Sequence, residues 1–156
     1  MRAGGLCVRR YEPGDREAVW RLHNAALEGV GLTSATARRT TCTRFEAAYL
    51  RSGGAFLVGV LDGRVVAMGA LRRVSSGRAE IKRMRVQPAL QGRGFGRALL
   101  DASTSAAELG YSTLHLDTTV NQRAARCLYE GNGHRELRRG RIGSFDCVFY
   151  ERNAVV

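Results

Sequence analysis

The feature that most limits the folds open to this chain is a glycine-rich loop at residues 91–96, between a predicted strand and a predicted helix. Gly92, Gly94 and Gly96 alternate there, and glycine lets the backbone take left-handed turns and approach a ligand closely. The first turn of the helix that follows offers amides without an intrahelical partner and the positive end of the helix dipole. Such a strand, loop and helix predict a site for a phosphate group.

The spacing of this loop excludes two common phosphate-binding motifs. A Walker A loop requires Gly-Lys-Ser/Thr after four residues, and that sequence is absent. The dinucleotide-binding pattern GxGxxG fails twice, because Arg97 and Leu99 stand where the last glycine is required. The remaining alternatives are a different phosphate ligand and a solvated loop without a ligand.

The first third of the chain predicts one strand and two helices. Residues 6–10 are a strand candidate, and Asp15 is placed to cap an amphipathic helix. Residues 43–46 match a capping box, which predicts a second helix that ends at Gly53.

The centre of the chain predicts an antiparallel meander. The β-rich segments 55–61 and 64–71 flank Asp62-Gly63, a dipeptide that favours a two-residue hairpin turn because it tolerates positive φ. Residues 79–86 predict a third strand, which leads into the glycine-rich loop.

Beyond the loop, the pattern changes to a parallel crossover. A helix with an apolar stripe is followed by a strand at 112–117, and Asn121 is placed to cap a further helix. Residues 135–142 and 145–152 predict a closing hairpin. We therefore expect one domain at 1–156 with a mixed α/β fold, an antiparallel meander joined to one parallel βαβ crossover.

The net charge of +11 predicts attraction to polyanions, for which nucleic acid and CoA are both candidates. The arginines are spread along the chain and aromatic residues make up only 7%, which argues against a nucleic-acid-binding module. The four cysteines show no metal-ligand spacing, so we expect free thiols and no metal. No apolar segment is long enough to span a membrane and the N-terminus does not resemble a secretory signal, so we expect a cytoplasmic protein.

The segment Gln91-Gly92-Arg93-Gly94-Phe95-Gly96 resembles the acetyl-CoA loop of the GNAT superfamily, whose pattern is Gln/Arg-x-x-Gly-x-Gly/Ala. The strand at 79–86 and the Leu-Tyr-Glu segment at 128–130 resemble two other parts of that family. The resemblance implies the GNAT fold, N-acetyltransferase activity and acetyl-CoA as cosubstrate. In that family, backbone amides of the loop bind the pyrophosphate.

The resemblance also implies two catalytic residues. Acetyl transfer requires a neutral amine, a polarised thioester carbonyl and protonation of the leaving thiolate. Glu80 is placed as the base, with an ion pair to Lys82, Arg83 or a neighbouring strand as the alternative. Tyr129 is placed as the acid, with a core aromatic as the alternative.

A cofactor-binding set is implied in the same way. The strand before the loop would offer its backbone to the acetyl group and the pantetheine chain, although its side chains are equally well explained as core. Asn121 would bond the pantetheine arm, cap a helix, or do both. The expected residues are Met84, Arg85, Val86, Gln91, Gly92, Arg93, Gly94, Phe95, Gly96, Arg97 and Asn121.

No motif specifies the acceptor. A small amine or polyamine, a free amino acid and a peptide amine stay open. The net positive charge favours acidic acceptors, whereas Glu12, Asp15, Glu17 and Glu28 near the first helix favour a cationic amine. A non-catalytic acetyl-CoA-binding regulator and, less well supported, a nucleic-acid-binding module are the alternative functions, and the resemblance allows a homodimer. His134 stands where the family commonly has phenylalanine.

Overall fold

The protein, described from a computed structural model over residues 2–29, 54–108 and 110–153, forms one mixed sheet with helices on both faces. Its strands are β1 Arg2–Ala3, β2 Leu6–Arg10, β3 Ala55–Leu61, β4 Arg64–Ser75, β5 Arg78–Val86, β6 Thr113–Thr119, β7 Arg135–Ile142 and β8 Phe145–Asn153. The helices are α1 Arg16–Gly29, α2 Phe95–Glu108 and α3 Arg123–Gly131, with short 3-10 turns at Pro13–Asp15 and Pro88–Leu90. The strand order is β1-β2-β3-β4-β5-β6-β8-β7.

The predicted meander is confirmed in β3, β4 and β5, which pair antiparallel in sequence order. Asp62 and Gly63 turn the first hairpin with φ values of 50° and 77°, as a two-residue turn with positive φ at both positions requires. The predicted crossover is confirmed as well, because β5 and β6 run parallel and α2 lies between them in the chain.

β5 contains a bulge that bends it. Ala67 pairs with Val86 and Met68 with Arg85, but Ala70 pairs with Lys82, so β5 has one more residue than β4 in this stretch. Arg83 takes a left-handed φ of 54° there. A bulge breaks the ladder locally and increases the twist of the strand, so the second half of β5 leaves the direction of the first half.

β5 and β6 are paired over only a short distance. The parallel ladder joins Arg78 to Thr113, Ala79 to Leu114 and Glu80 to His115, and it ends there. β5 nevertheless continues to Val86 and β6 to Thr119. The two strands therefore part beyond Glu80, and this opens a cleft in the middle of the sheet.

The core lies on both sides of the sheet. α2 and α3 cover one face, where Leu100, Ala107 and Tyr129 pack on apolar strand residues such as Leu114 and Leu116. α1 covers the other face through Val19 and Leu22, which pack against Phe56, Val58, Met68 and Ala70. Since side chains alternate along a strand, the residues between the buried ones of β5 and β6 face the α1 side.

The capping prediction at Asn121 is wrong, and that at Asp15, which directly precedes α1, stays a prediction. Gln122, not Asn121, precedes the first residue of α3, and it makes no side-chain capping bond. The Asp15 carboxylate accepts the backbone N–H of Glu12 at 2.8 Å and so closes the 3-10 turn before α1. Asn121 and Gln122 are both polar, and the turn before α3 fixes which of them occupies the capping position.

The remaining boundaries differ from the predictions by a few residues. β4 extends to Ser75, α2 begins at Phe95 inside the glycine-rich segment, and β1 was not predicted. The predicted capping box at 43–46 lies outside the described residues. No helix in the described part of the chain is long and apolar enough to cross a membrane. The assignment of residues 1–156 to one domain stays a prediction.

Candidate active site

The glycine-rich loop leads into the exposed start of α2. Gly92 and Gly94 have φ values of 80° and 83°, which only glycine adopts without strain. The first helical bond runs from the Ala98 N–H to the Gly94 carbonyl at 3.1 Å. The amides of Phe95, Gly96 and Arg97 therefore have no acceptor within the helix, and they form the type of N-terminus that binds phosphate.

The side chains of the loop hold it in place and give its rim a positive charge. Phe95 is 3% exposed and packs with Leu6, Val66 and Ala98, so only its backbone is available to a ligand. Arg93 is exposed, and Arg97 forms an ion pair with Asp101 at 3.2 Å. The Gln91 side chain donates to the Val86 carbonyl at 3.4 Å and ties the loop to the end of β5.

The end of β5 lies close to the loop and to α3. A Cβ atom on Gly96 would be 3.7 Å from Val86 and 3.5 Å from Leu128. Met84 packs over Gly69, where a Cβ atom would be 2.7 Å from the Met84 sulfur. The Arg85 guanidinium donates to the Met84 carbonyl at 2.9 Å. The structure thus brings the predicted strand and loop residues together at one side of the cleft between β5 and β6.

This cleft fits an acyl-CoA molecule. The part of β5 beyond Glu80 has no ladder partner on the β6 side, so its backbone can pair with an extended chain. The α2 amides without an acceptor in the helix lie beside the end of β5, where they are open to a phosphate group. Asn121, the last member of the predicted set, is exposed in the turn before α3.

Tyr129 lies in the core between α3 and the sheet. Its ring is 8% exposed and makes edge contacts with Tyr150 at 6.0 Å and His134 at 6.3 Å between centroids. Burial raises the pKa of Tyr129 to about 12, against a smaller lowering by Arg85. The phenol therefore keeps its proton throughout the neutral range and is a hydrogen-bond donor there.

Glu80 lies on the α1 face of β5 and is held by two cations. Its carboxylate is 2.6 Å from the Arg72 guanidinium and 3.4 Å from the Lys82 ammonium, and its side chain is 15% exposed. The ion-pair alternative is thus present in the structure, with Lys82 and the neighbouring strand β4. These contacts fix the orientation of the carboxylate.

A cavity of about 210 Å³ opens beside Glu80 where β5 and β6 part. Its walls come from β5, β6, β7 and β8, and they are lined by Glu80, His115, Leu116, Asp117, Leu137, Arg138, Phe149 and Tyr150. Asp117 and Arg138 are not among the site residues expected from the sequence. The alternation of β6 is the signal for Asp117, because Leu114 and Leu116 are buried on the opposite face and place Asp117 beside Glu80.

Two ionisable side chains that line this cavity, Asp117 and His115, have different surroundings. Burial raises the pKa of Asp117, the negative charge of Glu80 raises it further, and Lys82 partly opposes the change. The His115 Nε2 atom is 3.8 Å from Glu151 and makes no hydrogen bond with any described residue. Asp117 is therefore a better proton acceptor than an ordinary exposed aspartate.

Two of the acidic residues near the first helix, Asp15 and Glu17, are already held by arginines and are less suited to hold an amine. Asp15 forms a two-point ion pair with Arg9 at 2.7 and 2.9 Å, and this contact lowers the pKa of Asp15. Glu17 pairs with Arg21 one helical turn away. The described residues contain no cluster of three or more His, Cys, Asp or Glu side chains that would hold a metal ion.

Comparison with known proteins agrees with this geometry. The family model described as Acetyltransferase (GNAT) family matches residues 16–134. The Escherichia coli K12 protein named uncharacterized N-acetyltransferase YjgM is 28% identical over 149 residues, which are 90% of this chain and 89% of that protein.

Two solved structures share the fold. A GNAT-family acetyltransferase from Staphylococcus aureus matches with a TM-score of 0.83 and 22% identity, over 96% of this chain and 99% of that one. A putative acetyltransferase from Salmonella typhimurium, solved with its cofactor acetyl-CoA, matches with a TM-score of 0.82 and 20% identity, over 97% and 95%. The family match spans most of the chain and the fold agrees with it, so the chain belongs to the acetyltransferase (GNAT) family and is an acetyltransferase that uses acetyl-CoA.

Proposed function

We propose that this acetyltransferase moves the acetyl group to a primary amine by direct attack of the amine within a ternary complex. The observation that carries the proposal is the position of the 210 Å³ cavity, which opens where β5 and β6 part and contains the carboxylates of Glu80 and Asp117. Acetyl-CoA supplies the activated acetyl thioester. The cavity offers room for the acceptor on the α1 side of the same cleft.

The carboxylates prepare the amine. A primary amine is mostly protonated at neutral pH and must lose a proton before it attacks. Glu80, fixed by Arg72 and Lys82, orients the amine or a bridging water. Asp117, whose pKa is raised by burial and by Glu80, assists in accepting the proton. The base role expected of Glu80 is thus shared between the two side chains.

The backbone of β5 and the start of α2 position the thioester. In this proposal the Met84 to Val86 backbone lies along the pantetheine chain, and one of its amides donates to the acetyl oxygen. The amides of Gly94, Phe95 and Gly96 bind the pyrophosphate, with Arg93 and Arg97 adding charge at the rim. Asn121 is a hydrogen-bonding partner for the exposed part of the pantetheine arm.

Tyr129 donates a hydrogen bond to the leaving sulfur. With a pKa of about 12, its phenol keeps the proton at any physiological pH. An ordinary thiol has a pKa of about 8.5, well below that of Tyr129, so net proton transfer from the phenol to a free thiolate is uphill. The phenol therefore acts by stabilising the negative charge that develops on the sulfur, and solvent supplies the proton that completes the thiol. The amine nitrogen forms the new C–N bond, the C–S bond breaks, and the thiolate leaves as CoA thiol.

Release of CoA thiol in the presence of a panel of amines tests this mechanism. We expect Tyr129→Phe to lower kcat by about 10²-fold, because loss of one hydrogen-bond donor to a developing negative charge usually costs at least that much. Glu80→Gln and Asp117→Asn should each lower kcat/KM, and the double variant should lose more than either. Asp146→Asn, in an exposed ion pair with Arg141, is the matched control and should be unchanged.

The alternative function is a regulator that binds acetyl-CoA without turnover. It predicts saturable acetyl-CoA binding by calorimetry but no thiol release above the rate without protein, for any amine tested. Equal kcat for wild type, Tyr129→Phe and Glu80→Gln would remove these residues from the mechanism. The homodimer and the cytoplasmic location stay predictions.

A further inference from the structure

The acceptor cavity contains two opposite charges that do not pair with each other. Asp117 and Arg138 both line it, yet neither makes an ion pair with any described residue. The neighbouring arginines of β7 behave differently, because Arg139 binds Glu136 at 2.7 Å and Arg141 binds Asp146 at 3.6 Å. Among the arginines of β7, Arg135 and Arg138 make no ion pair with a described residue, and of these two only Arg138 lines the cavity.

A bulge in β7 aims Arg138 at this cavity. Glu136 pairs with Tyr150 and Arg138 pairs with Phe149, so Leu137 is an extra residue between them. Phe149 also pairs with Asp117 of β6, so the extra residue places Arg138, and not Leu137, in one row with Phe149 and Asp117. Bulges re-aim side chains in this way.

The guanidinium of Arg138 lies over an aromatic ring. Its central carbon is 3.9 Å from the centroid of Phe149. This contact holds the guanidinium in place, and two of its N–H groups match the two oxygens of a carboxylate. Arg138 is therefore placed to bind an anion, and no carboxylate of a described residue forms an ion pair with it.

The opposite end of the cavity favours a cation. Arg72 and Lys82 form ion pairs with Glu80, whereas Asp117 makes no ion pair with a described residue and is only weakly attracted by Lys82. Arg138 would repel a ligand that carries only positive charge, and Asp117 would repel a ligand that carries only negative charge. A ligand that carries both charges satisfies both ends.

The volume of the cavity limits the size of the ligand. Its volume of about 210 Å³ lies below the roughly 300–1,000 Å³ of common small-molecule pockets. That volume suits a molecule of amino-acid size better than a peptide segment. Leu137 and Phe149 give part of the wall an apolar surface for an aliphatic portion of such a ligand.

We infer that the acceptor is an amino acid, with its carboxylate bound by Arg138 and its amine directed at Asp117 and Glu80. This inference rests on the proposed acetyl transfer, since it names the acceptor of that same reaction. Arg138 is then a specificity-determining residue that does not contact the reacting atoms.

The test compares matched acceptors at saturating acetyl-CoA by CoA thiol release. Each of several amino acids is assayed beside its carboxamide and its decarboxylated amine, for example alanine, alaninamide and ethylamine. We expect kcat/KM for the preferred amino acid to exceed that of its two analogues by at least about tenfold, because they leave the Arg138 site unfilled. Arg138→Gln should remove this preference while the affinity for acetyl-CoA is kept, and Arg138→Lys should restore part of it.

Arg135→Gln is the matched control. Arg135 is an exposed arginine of the same strand that does not line the cavity, and its loss should leave the preference intact. Equal rates for acids, amides and amines in the wild type would overturn the inference while leaving acetyl transfer to amines in place. A preference that persists in Arg138→Gln would overturn it too.

A binding measurement separates this inference from the proposed reaction. Amino acids are titrated into the protein saturated with CoA, with wild type and Arg138→Gln in parallel. Binding that requires Arg138 without any turnover would support the amino-acid site and contradict the reaction. Turnover of other amines, without amino-acid binding, would support the reaction and contradict the site.

Discussion

At the scale of single residues, His134 shows how a departure from the family pattern is accommodated. It is 3% exposed, and neither ring nitrogen has a hydrogen-bond partner among the described residues. Burial and the charge of Arg152 lower its pKa to about 4, so the ring is neutral at pH 7. The His134 ring thus takes the place of an aromatic side chain and makes an edge contact with Tyr129. Its two buried nitrogens lack hydrogen-bond partners among the described residues, and this lowers the stability of the fold.

We expect His134→Phe to stabilise the fold by about 1–2 kcal/mol at pH 7, because it removes those buried polar atoms while keeping a ring in place. The stability gap should widen as the pH falls from about 6.5 to about 4. In that window the unfolded wild type binds a proton that the folded protein resists, so its stability falls, whereas the variant lacks this loss. Urea unfolding at several pH values measures it, and a gap that does not depend on pH would contradict the explanation.

At the scale of elements, the bulge in β5 and the parting of β5 from β6 create the active site. The extra residue in β5 bends the strand, and Arg83 has a positive φ there. The ladder between β5 and β6 ends at Glu80. Gly69, opposite the bulge, gives the Met84 side chain the space it occupies. The cleft therefore depends on a small residue in β4 as much as on β5 itself.

We expect Gly69→Ala to lower stability by about 1–3 kcal/mol, because the new methyl group would lie 2.7 Å from the Met84 sulfur. Acetyl-CoA affinity should fall as well, since Met84 belongs to the strand segment proposed to bind it. Thermal unfolding and calorimetry measure the two effects. Gly14→Ala is the control, as its methyl group meets nothing within 4 Å; a similar loss in both variants would contradict a specific role of the bulge.

At the scale of the whole molecule, the net charge of +11 acts on a polyanionic cosubstrate. Much of this charge is exposed, including Arg93 and the arginines of β7. Charges spread in this way steer an anion towards the protein without contacting it. Salt weakens such attraction because the screening length shortens with ionic strength.

We expect the Kd for acetyl-CoA to rise several-fold between about 0.05 and 0.5 M NaCl, because that change in salt shortens the Debye length well below the size of the protein. An acetyl thioester of pantetheine without phosphates should show little change over the same range. Calorimetry with both ligands measures the difference. If both ligands showed the same salt dependence, the phosphate groups would not be its cause.

The local parts of this protein were predictable from sequence, because their signals are local. Alternating glycines before an apolar helix need only a few neighbouring residues to be recognised, and the loop and α2 are where they were expected. The same holds for the Asp62-Gly63 hairpin and for the switch from meander to crossover. The capping prediction at Asn121 failed because two adjacent polar residues compete for one position, and the preceding turn decides between them.

The proposed acceptor site depends on tertiary structure alone. Asp117 and Arg138 come from β6 and β7, and they meet only because the sheet order places β8 between those strands and because Leu137 bulges. The ion pair from Arg72 to Glu80 likewise joins two strands through their register. The sequence by itself determined the family, the cosubstrate and the loop, because neighbouring residues alone fix the positions of the loop's backbone amides. Only the packing of strands that are distant in sequence determined which charged side chains stay without an ion pair.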